Sequence, residues 1–318
     1  MRRIYIISSL VAFAVVIGLL VGLGVGLTRD KSTDDLSDSS PSNLSSPSGT
    51  SSTLSTSASS STISSSSSSE LASLWTPLLN ETWDYQLLLV PTTFNSSIRV
   101  YDIDLFDTNS SVVESLHNQG HKVICYFSAG SYENWRPDKD KFLSSDLGNN
   151  LDGWPGERWL DVKSTNVRDI MVNRMALAVE KKCDGVDPDN IDAYDNDNGL
   201  GLTEDDAVDY VRFLSSMAHQ KKLAIGLKNG GSIVDRVVNA TEWVVVEQCI
   251  QYDECDLYEL FVNANKPVFN VEYPGLSSLS ASDVSKYCQY SGSVGFMSIL
   301  KNMNLDTWVE SCGFRSPM

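Results

Sequence analysis

The sequence predicts an α/β protein, a (β/α)8 TIM barrel that forms a single domain after a membrane anchor and a Ser-rich stalk. Three observations predict the barrel. Strand-like runs alternate with amphipathic helical stretches, the alternating part is about 250 residues long, and polar residues follow the strands. No Gly-rich phosphate-binding turn follows the first strand, which disfavours a dinucleotide-binding fold.

Residues 1–28 are predicted to be a short cytosolic stub and a transmembrane anchor. The uncharged run from Ile4 to Leu27 is long enough to span a bilayer, which takes about 20 residues. Arg2 and Arg3 precede it, so the positive-inside tendency predicts a single-pass type II protein of the cell membrane with its folded domain outside. The alternative is a cleaved signal peptide, but the run exceeds the usual apolar region of about 7–15 residues.

Residues 29–70 are predicted to be a disordered linker, because Ser and Thr with some Pro offer few apolar groups to bury. Such a stalk would hold the domain away from the membrane, and whether proteolysis sheds the domain is left open. Glycosylation sequons predict surface positions in the linker and the domain at Asn43, Asn80, Asn95, Asn109 and Asn239.

Residues 71–318 form the predicted domain, which is strongly acidic. The chain has 24 basic and 41 acidic residues; the first 70 residues hold four and five of these, which leaves 20 and 36 and a formal charge of −16. This charge argues against nucleic acid as a partner and suits a cationic ligand. Solubility of an exported protein explains the same charge without any ligand.

Six cysteines lie in the domain, and an even count in an exported chain predicts three disulfides among Cys125, Cys183, Cys249, Cys255, Cys288 and Cys312. Fifteen pairings are open on sequence alone. One of them joins Cys249 to Cys255 and Cys288 to Cys312, and leaves Cys125 with Cys183 as a bridge between two strands.

The predicted elements alternate along the domain, with clear helices at 167–182, 204–220 and 281–289. Nine runs compete for eight barrel places, so one is extra; if the first is accessory, Asp189 and Glu247 follow strands four and six. The nine predicted strands cover residues 85–90, 100–105, 122–127, 158–162, 184–187, 223–227, 243–246, 267–271 and 295–300.

Two of these strands end in carboxylates, Asp189 and Glu247, where a barrel places its active site. A buried carboxylate is costly unless it is paired or used. Glycoside hydrolysis needs two such groups on either side of the bond that breaks. A proton donor at Glu247 would need its pKa raised by apolar surroundings and neighbouring acids.

Polar and aromatic residues follow six or more successive strands, which capping alone does not explain. Sugar rings stack on aromatic faces, so an acidic groove with aromatic walls would fit a chain of sugars, whereas Trp159 and Trp243 are predicted core residues. The predicted substrate-binding residues are Asp102, Asp104, Tyr126, Trp135, Trp154, Asp161, Asp187, Asn190, Tyr194, Lys228, Asn229, Gln248, Glu272 and Tyr273. No metal is expected, because the three His follow no ligand pattern and the Asp195–Gly199 stretch lacks the closing Glu of a calcium loop.

Several motifs resemble glycoside hydrolase family 114, the fungal spherulin-4-like endo-α-1,4-polygalactosaminidases. They are Val100–Asp107, Ile124–Ser131, Asp184–Asn190, and Leu227–Asn229 through Val246–Gln248. The resemblance implies a (β/α)8 barrel without a cofactor that cleaves α-1,4-linked galactosamine internally. It also implies Asp189 as nucleophile, Glu247 as acid/base, and a groove lined by Asp102, Asp104, Asp161, Asp187, Tyr126, Lys228 and Glu272.

The sequence therefore predicts an anchored, retaining endo-glycosidase acting on a cationic galactosamine polysaccharide, galactosaminogalactan, with a monomeric catalytic domain. Two alternatives stay open. One is a non-catalytic wall protein that binds polysaccharide, and the other is a hydrolase of a related amino-sugar polymer. Because the two carboxyl groups of retaining enzymes lie about 5–5.5 Å apart, their separation tests this prediction.

Overall fold

A computed structural model of the protein describes residues 74–275 and 279–317. The predicted anchor, the linker and Asn43 lie outside the described residues. The strands, in chain order, are β1 (Trp83–Gln86), β2 (Val100–Asp104), β3 (Lys122–Ser128), β4 (Ser131–Glu133), β5 (Leu147–Asn150), β6 (Glu157–Leu160), β7 (Gly185–Asp189), β8 (Ala224–Lys228), β9 (Trp243–Glu247), β10 (Val268–Glu272), β11 (Met297–Lys301) and β12 (Val309–Ser311). The α-helices are α1 (Ser110–Asn118), α2 (Thr165–Glu180), α3 (Glu204–Gln220), α4 (Val234–Val237), α5 (Cys249–Tyr252), α6 (Glu259–Asn263) and α7 (Ala281–Cys288).

The strands β1, β2, β3, β7, β8, β9, β10 and β11 run parallel in this order, and β12 adds to β11 antiparallel. The two ends of the parallel set meet, because Trp83 Nε1 on β1 donates to the Met297 carbonyl on β11 at 2.7 Å. Lys301 Nζ reaches Asp84 across the same seam at 2.8 Å. The eight parallel strands therefore close into the (β/α)8 barrel that the alternating pattern predicts.

The extra strand is not the first of the nine predicted runs but the run at 158–162. Its observed core, β6, pairs antiparallel with β4 and β5 in a separate three-stranded sheet. This sheet lies within the connection between β3 and α2. Period-two alternation is common to barrel strands and hairpins, so the pattern could not show which partner β6 would take. The first barrel strand, predicted at 85–90, ends at Gln86.

The long helices begin and end close to the predicted bounds, because their first turns carry capping residues. The Thr203 side chain accepts from the Asp206 N–H, and the Asp206 carboxylate accepts from the Thr203 N–H, which is a complete capping box. Ser164 caps α2 from one side only, because its side chain accepts from the Val167 N–H and no acidic side chain returns the bond. Helix α3 spans the predicted residues 204–220, and α2 begins two residues before its predicted start.

Alternation along each strand separates two cores. Val186 on β7 packs outward against the helices. Because side chains alternate along a strand, the next residue, Asp187, and the one two further on, Asp189, point into the barrel. The lower barrel is filled by Trp243, which is fully buried. A Cβ at Gly226 would lie 2.2 Å from Trp243 Nε1, so the indole requires a glycine on β8. Trp159 is buried too, as predicted for both indoles.

Three disulfides tie the domain together: Cys125–Cys183 between β3 and the start of β7, Cys249–Cys255, and Cys288–Cys312. This is the pairing named above among the fifteen. The sequon asparagines that the structure describes, Asn80, Asn95, Asn109 and Asn239, are all exposed, and their glycosylation stays a prediction. Within residues 74–275 and 279–317 no helix has the length and hydropathy needed to cross a bilayer.

Candidate active site

A cluster of ionisable side chains lies inside the barrel at the carboxyl ends of its strands. Asp189 ends β7, Lys228 ends β8 and Glu247 ends β9, while Tyr126 on β3 and Tyr273 after β10 flank them. These strands are parallel, so their last residues meet at one end of the barrel. The structure therefore brings the two predicted catalytic carboxylates together.

Asp189 is held by three donors. Tyr126 O–H donates to Asp189 Oδ2 at 2.7 Å, and Lys228 Nζ and the Asn190 N–H donate to Oδ1 at 3.0 and 2.7 Å. Part of the carboxylate stays open to solvent. A carboxylate oriented by fixed donors and still accessible has the features of a nucleophile.

The Glu247 carboxylate also accepts three hydrogen bonds from side chains. Tyr273 O–H donates to its Oε1 at 2.5 Å. Lys228 Nζ and Asn229 Nδ2 donate to Oε2 at 2.7 and 3.3 Å. Burial raises the pKa of Glu247, but the Lys228 charge and these hydrogen bonds outweigh it, so the pKa is lowered. The raised pKa that a proton donor at Glu247 would need is therefore not found, because Lys228 turns inward beside the carboxylate, which the sequence could not show.

Lys228 is buried, with 2% of its surface exposed, and its ammonium group bridges the carboxylates of Asp189 and Glu247. Its bonds of 3.0 and 2.7 Å together limit the separation of Asp189 Oδ1 and Glu247 Oε2 to 5.7 Å. Burial alone would lower the pKa of Lys228, yet Asp189, Glu247 and Asp187 raise it well above its ordinary value. The ammonium is thus a permanent cation between the two acids.

Asp102 and Asp187 lie deeper in the barrel, both fully buried. Burial raises the pKa of each well above its usual range, and their mutual repulsion raises that of Asp102 further. Neither belongs to an ion pair in the part of the chain that the structure describes. Being inaccessible, they make no contact with a sugar, and their raised pKa values favour the uncharged acid forms.

Other predicted residues stand at the rim. Asn229 and Glu247 bond each other through both the Asn229 amide and the Glu247 N–H. Tyr194 O–H pairs with the Ser232 hydroxyl at 2.9 Å, and Gln248 Nε2 donates to Gln251 at 2.8 Å. All three predicted residues are partly exposed, as a groove wall requires.

Asp104 and Glu272 are not available to a sugar. Arg136 binds both Asp104 oxygens at 3.0 and 2.7 Å in a buried ion pair, which uses that carboxylate for structure. Glu272 faces outward from β10 and accepts the Ile250 N–H at 2.8 Å. Its burial raises its pKa to about 7. Both predictions as groove residues fail because residue type alone does not show which partner a carboxylate meets.

Asp161 and the two tryptophans belong to the connection that carries the three-stranded sheet. Asp161 follows β6 and accepts the Lys163 N–H at 3.1 Å, so it does not end a barrel strand. Trp135 and Trp154 are 52% and 58% exposed, open enough to serve as sugar platforms. The connection leaves the barrel at the carboxyl end of β3, beside the rim.

Three further residues near the site are not among the predicted substrate-binding residues. Tyr85, the first residue of the predicted run at 85–90, faces the barrel interior with Lys228 Nζ 6.0 Å from its ring centre. Asp192 is a rim carboxyl whose pKa burial and Asp189 raise to about 6. Glu157, on β6, is buried with its pKa raised to about 7, first by burial.

A separate cavity of about 510 Å³ lies at the opposite end of the barrel, beside the residues that precede β1, β10 and β11. It is lined by Asn80, Asn265 and Gly295 among others, and it holds none of the clustered carboxylates. Over the described ranges no group of three or more His, Cys, Asp or Glu side chains is arranged to hold a metal ion.

The chain matches one family model and several solved structures. The model of glycoside-hydrolase family GH114 matches residues 64–316. Ega3 of Aspergillus fumigatus, crystallised in complex with galactosamine, is 50% identical over 76% of this chain and 98% of its own, with a TM-score of 0.73. The glycoside hydrolase domain of PelA from Pseudomonas aeruginosa is 14% identical over 72% of this chain and 98% of its own, with a TM-score of 0.56, and shows the shared fold alone.

A comparison with curated proteins found no match. The family match covers most of the chain and the whole described barrel, including the carboxylates that end β7 and β9. The chain therefore belongs to glycoside hydrolase family GH114.

Proposed function

We propose that the domain is an endo-acting, retaining glycoside hydrolase that cleaves α-1,4-linked galactosamine in a cationic polysaccharide such as galactosaminogalactan. The observation that carries the proposal is the Lys228 bridge, which keeps one oxygen of Asp189 within 5.7 Å of one oxygen of Glu247. Retaining enzymes place their carboxyl groups about 5–5.5 Å apart, and inverting enzymes about 6.5–9.5 Å.

In this proposal Asp189 attacks the anomeric carbon while Glu247 gives a proton to the departing glycosidic oxygen. The carbon–oxygen bond to the leaving sugar breaks as the bond to Asp189 forms. Water then attacks the same carbon, Glu247 takes the proton of that water, and Asp189 leaves as a carboxylate. Tyr126 and the Asn190 N–H orient the attacking carboxylate.

Charge supports an amino sugar as substrate. The domain carries a formal charge of −16, and inside the barrel the two carboxylates of Asp189 and Glu247 share the single lysine Lys228. An ammonium group on the sugar would relieve this excess of negative charge, whereas a neutral sugar would not. Ega3, which is similar over the whole domain, binds galactosamine.

Hydrolysis of partly deacetylated galactosaminogalactan tests the proposal. We expect new reducing ends and short oligomers from the wild type, and losses of at least a thousandfold in kcat for Asp189→Asn and Glu247→Gln. The exposed variants Asp169→Asn and Glu114→Gln repeat each chemical change away from the cleft and should keep full activity. Proton NMR of the first product should show the α anomer.

The same assay separates the alternatives. A wall protein that only binds polysaccharide would retain the polymer and release no reducing ends. A hydrolase of a related amino-sugar polymer would cleave chitosan faster than the galactosamine polymer. Full activity of either cleft variant would remove that carboxylate from the mechanism.

The location of the enzyme is a second part of the proposal. The apolar run in residues 1–28 would anchor it as a type II membrane protein, and residues 29–70 would extend the monomeric domain outward. We expect the full chain in carbonate-washed membranes and a chain beginning at residue 29 in the soluble fraction. A mature N-terminus beyond residue 28 on the wild-type protein would favour the cleaved signal peptide.

A further inference from the structure

A buried row of hydrogen bonds leads from the three-stranded sheet to Asp189. Ser131 Oγ donates to Glu157 Oε2 at 2.6 Å, and the Ser131 and Ser128 hydroxyl oxygens lie 2.6 Å apart. Asn190 Nδ2 donates to Ser128 Oγ at 3.0 Å and lies 3.3 Å from Ser131 Oγ. Glu157, Ser131 and Ser128 are exposed by only 7%, 0% and 1%.

The row has a direction. Ser128 Oγ accepts from the Ser131 N–H at 3.1 Å and from the Asn190 amide, so its own proton points to Ser131 Oγ. Ser131 in turn gives its proton to Glu157, because a carboxylate oxygen accepts. Glu157 makes no ion pair with any residue that the structure describes, so the hydrogen bond from Ser131 is what its buried carboxyl group gains in the fold.

Asn190 is the residue through which the row reaches the active site. With Nδ2 directed at the two serines, its amide oxygen Oδ1 faces away from them and accepts no hydrogen bond from residues 74–275 or 279–317. Its backbone N–H donates to Asp189 Oδ1 at 2.7 Å. An unpartnered acceptor therefore stands next to the proposed nucleophile.

We propose that Glu157 is a positioning residue that acts through Ser131 and Ser128 to turn the Asn190 amide oxygen toward a hydroxyl or ammonium donor of the bound sugar. The inference rests on the proposed function, since it names how one side of the sugar at Asp189 is recognised. Glu157 itself stays buried behind the serines and touches no substrate. Its effect is on sugar binding more than on the chemical step.

Variants along the row test this inference. A glutamine at Glu157→Gln can donate to Ser131 and reverse the row, so we expect KM to rise about fivefold to tenfold with kcat within twofold. Ser131→Ala breaks the row at another point and should do the same. Asn190→Gly keeps the backbone N–H and suits the positive φ of 61° at this position, so it removes only the side chain.

The double variant Glu157→Gln/Asn190→Gly decides whether Glu157 acts through Asn190. We expect its KM to match that of Asn190→Gly alone. Once the Asn190 side chain is absent, Glu157→Gln has no group left through which to affect sugar binding. The inference would be overturned if the KM increases of the two single variants multiplied in the double variant. It would also be overturned if folded Glu157→Gln and Ser131→Ala had an unchanged KM. The control Glu81→Gln changes a partly buried acid before β1, at the other end of the barrel, and should leave KM unchanged.

A binding measurement separates this inference from the proposed function. Calorimetry of galactosamine oligomers with Asp189→Asn, with and without Glu157→Gln, reports recognition without turnover. A tenfold weaker affinity on adding Glu157→Gln would support the row even if the wild type released no reducing ends. Equal affinities would overturn the row while leaving the hydrolase proposal intact.

Discussion

The Lys228 ammonium donates a 2.7 Å hydrogen bond to Glu247, and this pairing lowers the pKa of a carboxyl that burial alone would raise. The carboxyl that we propose as the proton donor is therefore held in its ionised form by Lys228. The acid form of Glu247 becomes common only below the usual carboxyl range. Turnover should accordingly be fastest at acidic pH, where the amino groups of the substrate are also charged.

Lys228→Met should move the pH dependence of the enzyme. Without the ammonium, burial and the facing Asp189 carboxylate raise the pKa of Glu247, so the basic limb of the kcat/KM profile should shift upward by about 1–3 pH units. Maximal activity should fall as well, because two carboxylates then face each other unscreened. The profile is measured on galactosamine oligomers of fixed length.

Lys182→Met is the matched control for this shift. Lys182 is exposed just before β7, at the far end of that strand from the site, and should leave the profile in place. A basic limb that stays unmoved in Lys228→Met would show that the lysine does not govern the acid.

Tyr126→Phe should impair chemistry by removing the O–H that holds Asp189 Oδ2 at 2.7 Å. A hydrogen bond to a charged group contributes about 1.5–3 kcal/mol, so kcat/KM should fall roughly 10- to 150-fold. Tyr132→Phe makes the same change on β4, where the ring packs against Phe142, and provides the comparison. Similar rates for both variants would contradict a role for the Asp189 contact.

Asp104→Asn should reduce stability and not substrate affinity. The change leaves Arg136 without one of its buried carboxylate partners, and breaking such a pair costs about 3–5 kcal/mol of unfolding free energy. Urea unfolding measures that loss, while KM of the folded fraction should stay within twofold. A large rise in KM with unchanged stability would restore Asp104 to the groove.

Glu272 should make the domain less stable as pH rises. Its pKa is raised to about 7 from an ordinary 4.5, so the folded protein favours the protonated form. The contribution is fully present below about pH 4.5 and is lost as pH rises through 7, a change of about 3 kcal/mol. Glu272→Gln cannot ionise and should show a flatter unfolding free energy between pH 4.5 and 8, measured by urea titration. Parallel pH curves for the two proteins would refute this assignment.

Much of the barrel could be predicted because local patterns repeat along it. Helix α3 carries its own start signal at Thr203, the body of β9 is apolar up to Glu247, and β7 carries acids at Asp187 and at its end, Asp189. The run at 158–162 could not be placed, because an alternating strand does not state whether it joins a barrel or a hairpin.

The positions of the candidate site residues could be predicted from the sequence, whereas the hydrogen-bond and ion-pair partners of their side chains could not. Asp189 and Glu247 follow from strand ends, whereas Asp104 and Glu272 have equally suggestive positions and are taken up by Arg136 and by the Ile250 N–H. Glu157 lies on a strand of another sheet, and no local pattern ties it to Asn190. Hydrogen bonds between residues dozens of positions apart leave little trace in one sequence.

The amino-acid order by itself determined the repeated strand–helix alternation, the acidic charge and the two carboxylates at strand ends, because these depend on neighbours along the chain. Only the tertiary structure decided that Lys228 stands between those carboxylates and which acids remain free for a sugar. Charge balance in a closed barrel depends on residues from different strands, and their distances exist only once the chain has folded.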